Sequence, residues 1–132
     1  MKHGSHRARR AAFLMLSTAL VTVACGAKER TLNVTATAFN STPAQTDHRP
    51  NEGACGDLLK AGDKVIAVSR DLADAGIRCG TEIRIAGLEG SYKVVDRMAS
   101  HRRNHIDIYM GRDVKAARAW GAQDVVITWS EE

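Results

Sequence analysis

Hydrophobic and polar residues along this chain fall into short runs of strand-like period, separated by turn residues. Leu32 to Phe39 (LNVTATAF) alternates at period two and is rich in β-branched residues, which predicts a first strand. Asn40 to Gly56 is rich in Ser, Thr, Pro, Asn and Gly and predicts a long loop, of the kind that tends to bind ligands. Lys64 to Ser69 (KVIAVS) is almost continuously apolar and predicts a second strand buried on both faces. Asp71 to Gly76 reads as a single helical turn stopped by glycine. Thr81 to Ala86 places Ile83 and Ile85 on one face and Glu82 and Arg84 on the other. The turn Gly87 to Gly90 then leads into a fourth strand, Ser91 to Asp96. A fifth strand follows over His105 to Met110, and a sixth over Asp124 to Ser130. Between them, Asp113 is a good N-cap for a helix over Val114 to Trp120, which Gly121 ends. Six short strands and one short helix in so small a unit predict a mainly β protein, a closed six-stranded barrel rather than an open sheet.

The first residues follow a different pattern. Lys2, Arg7, Arg9 and Arg10 precede an apolar run, Ala11 to Ala24, that is too short to cross a membrane as a helix. Small residues follow, and no acidic residue occurs before Glu29. This is the layout of a secretory signal peptide. Thr22 to Cys25 (TVAC) resembles a lipobox with Cys25 as the lipidated residue, although Thr22 stands where leucine is usual. Cleavage after Gly26 or Ala27 by the ordinary signal peptidase is the alternative. In a bacterium with two membranes, Gly26 after the cysteine resembles the pattern of outer-membrane lipoproteins facing the periplasm. The expected organisation is a leader over 1–25, a tether over 26–31 and the barrel over 32–132.

That leader changes the charge argument. The chain has 19 basic and 15 acidic residues, and the leader holds four of the basic residues and none of the acidic ones. The remainder is balanced, so the basic net charge does not point to nucleic acid. The two cysteines beyond the leader, Cys55 and Cys79, read as a disulfide in an exported protein. No Cys or His spacing suits a metal, and neither a metal nor another cofactor is expected.

Chemistry concentrates in Tyr92 to Tyr109, where two strand-like runs flank a basic loop. Each run carries an aspartate, Asp96 and Asp107, where an apolar residue would be usual. A carboxylate there is costly to desolvate unless it is paired or hydrogen-bonded. Backbone N–H groups can satisfy either aspartate alone; two on adjoining strands facing one loop suggest a shared site. Alternation puts His105, Asp107 and Tyr109 on one face, which is either a solvated outer face or the face of a cleft. Arg97, His101, Arg102 and Arg103 either line a solvated loop or hold substrate carboxylates. Phe39, Tyr92, Tyr109 and Trp129 could stack on sugar rings, with core packing the better reading for Trp129 and Trp120.

An ordered set of short motifs resembles the three-aspartate (3D) domain of bacterial envelope proteins. The pieces are TAFNS at Thr37 to Ser41, GDLLKAGD at Gly56 to Asp63, IAVSRDL at Ile66 to Leu72 and CGT at Cys79 to Thr81. GSYKVVDRM at Gly90 to Met98, IDIYMG at Ile106 to Gly111, AWG at Ala119 to Gly121 and VITW at Val126 to Trp129 complete it. The resemblance implies a six-stranded double-psi β-barrel, the fold that also forms part of membrane-bound lytic transglycosylase A and of stationary-phase muralytic enzymes. It implies peptidoglycan glycan strands as substrate, cleaved with Asp107 as acid/base and Asp96 as its partner, with Asp71 nearest to the third aspartate. Phe39, Arg97, His105 and Tyr109 would contact substrate. Two departures bear on catalysis: Ser69 occupies the family's third aspartate position, with Asp71 two residues on, and the family's glycine-rich loop is replaced by DRMASHRRNH. The alternative reading is a non-catalytic barrel that binds peptidoglycan or an envelope partner, as some expansin-like barrels do.

Overall fold

The computed structural model describes residues 26–41 and 53–131. The leader, Cys25 and most of the long loop expected over 40–56 lie outside the described residues. Six strands close into a barrel: β1 (Glu29–Phe39), β2 (Val65–Val68), β3 (Glu82–Ile85), β4 (Ser91–Arg97), β5 (His105–Tyr109) and β6 (Gln123–Ser130). Around the barrel they run β1-β5-β2-β4-β3-β6. β1 with β5 and β2 with β4 are parallel, and the other neighbours are antiparallel. Two helices decorate it, α1 (Arg70–Asp74) and α2 (Val114–Trp120). Asp113 caps α2 by accepting the Ala116 N–H at 2.9 Å, and Gly121 ends it at a φ of 64° that disfavours a side chain.

Inward-facing positions of every strand form one core: Val34 and Ala36 of β1, Ile66 and Val68 of β2, Ile83 and Ile85 of β3, Val94 of β4, Ile106 and Ile108 of β5, and Val125, Ile127 and Trp129 of β6. Trp120 of α2 packs against this core and donates its ring N–H to Ala36 O at 3.1 Å. The expected double burial of β2 holds: all four of its residues are buried. Its outer side is covered because a second cluster, Leu59, Val65, Val95 and Tyr109 with Phe39 against it, lies outside the barrel wall.

Two features differ from the sequence expectation. β1 begins at Glu29, inside the stretch expected as tether, because residues from Glu29 onward pair with Ser130 and its neighbours on β6. More importantly, β4 and β5 do not adjoin. β2 lies between them, pairing with β4 on one side and β5 on the other. Local alternation predicts strands but carries no information on which distant strand inserts between two others.

Cys55 and Cys79 form the expected disulfide, with a Cα–Cα distance of 5.9 Å. It ties residues 53–57 to the turn before β3.

Candidate functional site

The candidate site lies on the outer wall of the barrel, where β1, β5, β2 and β4 run side by side. Register pairs Thr37 with Asp107, Asp107 with Ala67, and Ala67 with Asp96. These four residues make one row across four strands. Asp96 joins it only through a bulge in β4. The partner of β2 steps from Val94 to Asp96 and skips Val95. Val94 therefore faces the barrel core, while Val95 and Asp96 both face outward. Ala67, nearly buried at 5% exposure, separates the two aspartates. Their backbones stand two strand spacings apart, about 10 Å.

The two carboxylates have different surroundings. Asp96 Oδ1 accepts the Ala54 N–H and the Arg97 N–H, both at 2.8 Å. It thereby clips residues 53–57 onto β4, where the Cys55 N–H also donates to Val95 O at 3.0 Å. Gly53 is required at this crossing, because a Cβ there would come 2.3 Å from Val95 O. Asp107 has no backbone donor among the described residues. Its Oδ1 accepts the Thr37 hydroxyl at 3.0 Å, and the same Thr37 oxygen lies 2.8 Å from His105 Nε2. Burial pushes the Asp107 carboxyl above its ordinary value. The Thr37 hydrogen bond and the Arg102 charge act against that rise, and the Asp96 charge adds to it.

His105 is pushed the other way, below its ordinary value, by burial and then by the Arg102 charge. A neutral imidazole donates its Nε2–H to Thr37 when Thr37 donates to an ionised Asp107. With Asp107 protonated, both hydrogen bonds can reverse. The three groups thus form a short chain along which a proton can be rearranged.

Alternation correctly places His105, Asp107 and Tyr109 on one face, but that face is neither freely solvated nor fully open. His105 and Tyr109 are buried. Tyr109 stacks at a tilt on Phe39, with ring centroids 5.3 Å apart, and its hydroxyl meets Ser41 Oγ at 2.8 Å. Tyr109 is therefore a support beneath the site, and Phe39, half-buried, is the more accessible ring.

Asp71 stands apart from the row, in the first turn of α1, where its Oδ2 accepts the Asn104 N–H at 2.9 Å. Burial opposes its charge, but the Ser69 hydroxyl, the Asn104 N–H, its own N–H and the Arg103 charge outweigh burial and hold it below its ordinary value. With the His105 N–H bonded to Ser69 Oγ at 3.0 Å, this end of α1 fixes where β5 begins. Arg97 points to the opposite side of the sheet from Asp96 and lines a cavity there.

Thr37 is the site residue that sequence reasoning missed. It alternates with Phe39, but only the non-local parallel pairing of β1 with β5 reveals what it faces. Among the described residues no group of His, Cys, Asp and Glu side chains could hold a metal ion. No helix among them is long and apolar enough to cross a membrane.

No family model matches the chain, and no curated protein does. Solved structures do. Apo expansin of Clavibacter michiganensis superposes with a TM-score of 0.52 at 20% identity, over 78% of this chain and 52% of the expansin. A point mutant of the expansin from the same organism, in complex with cellohexaose, gives 0.50 at 18% identity, over 78% and 51%. A Streptomyces papain inhibitor gives 0.53 at 17% identity, over 77% of this chain and 96% of the inhibitor. The fold is a double-psi β-barrel. This chain spans about half the expansin but nearly the whole papain inhibitor, so the barrel occurs both as one part of a longer chain and almost alone. At these identities the likeness concerns fold only.

Proposed function

We propose that this chain is an exported cell-envelope protein of the three-aspartate type that binds peptidoglycan glycan strands over Thr37, Phe39 and Asp107 and cleaves them with Asp107 as a single acid/base. The observation that carries the reading is the contrast between the two carboxylates. Asp96 is engaged by two backbone N–H groups, whereas Asp107 is half-buried, raised in pKa and bonded, among the described residues, to a hydroxyl that leads to an imidazole. A raised pKa widens the pH range over which a carboxyl stays protonated and can donate to a leaving oxygen. Ordinary glycosidases need a second carboxylate as base or nucleophile. With Asp96 committed to structure, the reaction that fits is the lytic transglycosylase type. Asp107 gives its proton to the glycosidic oxygen as the bond to C1 breaks. The resulting carboxylate then takes the proton of the muramyl 6-hydroxyl as that oxygen bonds C1, leaving a 1,6-anhydro end and a restored acid. The leader and Cys25 would place this barrel at a membrane surface by lipid anchoring, in the periplasm of a two-membrane cell.

A second reading, a non-catalytic glycan-binding barrel, is favoured by the structural use of Asp96 and by the likeness to half of an expansin mutant solved in complex with cellohexaose. Incubation of the protein with purified sacculi, followed by mass spectrometry of soluble products, separates the two. Anhydro-muropeptides that disappear with Asp107→Asn are the expected result. Reducing-end products would implicate a second carboxylate and contradict the single-acid assignment. Co-sedimentation without products would establish the binding barrel.

A further inference from the structure

A cavity of about 410 Å³ opens between α1, the turn that follows it and the ends of β2 and β4. It lies on the opposite side of the sheet from Asp107. The bulge at Val95 creates this division: Asp96 faces the outer wall, and its neighbour Arg97 turns with Val68 and Val94 to the other side. The cavity's accessible apolar surface comes from Ala73 and Cys79, laid over the fully buried Val68, Ile77 and Val94. Arg78 and Arg97 stand at the rim, with Asp74 beside them. All three rim residues are exposed, and among the described residues neither guanidinium forms an ion pair.

The volume suits a ligand of a few residues. The Ala73 and Cys79 surface suits small apolar groups. Two guanidiniums recognise carboxylates through fork-like paired hydrogen bonds, and a lone carboxylate beside them suits an ammonium. A ligand with methyl side chains, two carboxylates and one amine within a few residues matches all three features. We infer that this cavity binds the peptide stem of peptidoglycan. Alanine methyls lie on Ala73 and Cys79, carboxylates meet Arg78 and Arg97, and the amine of the dibasic residue meets Asp74. This rests on the peptidoglycan reading above and adds a second contact to it. The glycan would run along the outer wall while its stem turns past the end of β4, where Asp96 and Arg97 are consecutive residues facing opposite ways.

The test uses two separate probes, each followed by backbone amide NMR: the free pentapeptide L-Ala-γ-D-Glu-L-Lys-D-Ala-D-Ala and the bare sugar chitohexaose. The pentapeptide is expected to shift the amides of Ala73, Ile77, Arg78 and Arg97, and chitohexaose those of Thr37 and Asp107. Arg78→Ala is expected to weaken pentapeptide binding about tenfold, the loss of one charge-assisted contact, and to leave chitohexaose binding unchanged. Amidation of the peptide's C-terminus is expected to weaken it in the same way. Pentapeptide binding that ignores Arg78→Ala, or sacculus binding with no pentapeptide shift at the cavity, overturns the inference. Pentapeptide binding at the cavity with no chitohexaose or sacculus binding would support the cavity and sink the glycan reading instead.

Discussion

The Thr37 hydroxyl has one proton and two polar neighbours, His105 Nε2 at 2.8 Å and Asp107 Oδ1 at 3.0 Å. Whichever neighbour it donates to, the other must donate to it, so the states of His105 and Asp107 are linked. Their pKa shifts oppose each other in their effect on stability. His105 titrates below its ordinary 6.5 in the folded protein. Between that lowered value and 6.5 the unfolded chain binds more protons, so stability falls as pH falls through this window and levels off beneath it. Asp107 titrates above its ordinary 3.8. Between 3.8 and its raised value the folded chain binds more protons, so its contribution is present in acid and is lost as pH rises through that window. Thermal melts across mildly acidic pH should show His105→Gln losing less stability on acidification than the parent protein. Identical slopes would show that His105 keeps its ordinary titration. Asp107 and His105 were legible in the sequence because period-two alternation fixes which side chains share a face. Thr37 was not, because its partners lie 68 and 70 residues away.

At the scale of elements, the decisive feature is the bulge in β4 and the short strap over 53–57 that it holds. Gly53 crosses Val95 so closely that any Cβ must displace the strap. Gly53→Ala should therefore weaken two bonds together, Ala54 N–H to Asp96 and Cys55 N–H to Val95 O. The expected cost is about 1–3 kcal/mol, with faster amide exchange at Ala54 and Cys55. Unchanged exchange at both would mean that Asp96 does not depend on the strap. The strands themselves were legible from alternation and turn residues, with ends correct to within three residues. The bulge was not, because it falls within Val94-Val95, where two like residues leave alternation no mark. The insertion of β2 between β4 and β5 was equally hidden. It turns an apparent carboxylate pair into one structural aspartate and one candidate acid.

Taken whole, the molecule is a closed barrel with a core inside and a smaller apolar cluster outside one wall. Closure removes free sheet edges, which a single small domain would otherwise have to protect. The strap over 53–57, which leads to Leu59 of the outer cluster, is tied down by the Cys55–Cys79 disulfide across a sequence separation of 24. Replacing both cysteines with serine should lower unfolding free energy by about 3 kcal/mol, the entropy of a loop of that length. Denaturant unfolding of the two forms measures it, and equal midpoints would show that the strap is held without the bridge. The barrel was legible from the number of short strands in so few residues, and the disulfide from cysteine parity in a sequence read as exported. The site was only half legible, since its geometry depends on which strands neighbour one another.

The proposed role of Asp107 depends most on its surroundings raising its carboxyl above the ordinary value. An NMR titration of the Asp107 side-chain carboxyl carbon, from strongly acid to neutral pH, reads this directly. The predicted midpoint lies above 3.8, and it rises further in Thr37→Val, because the Thr37 hydrogen bond favours the ionised form. A midpoint at or below 3.8 would mean that Asp107 is an ordinary ionised aspartate, and would contradict its role as the acid.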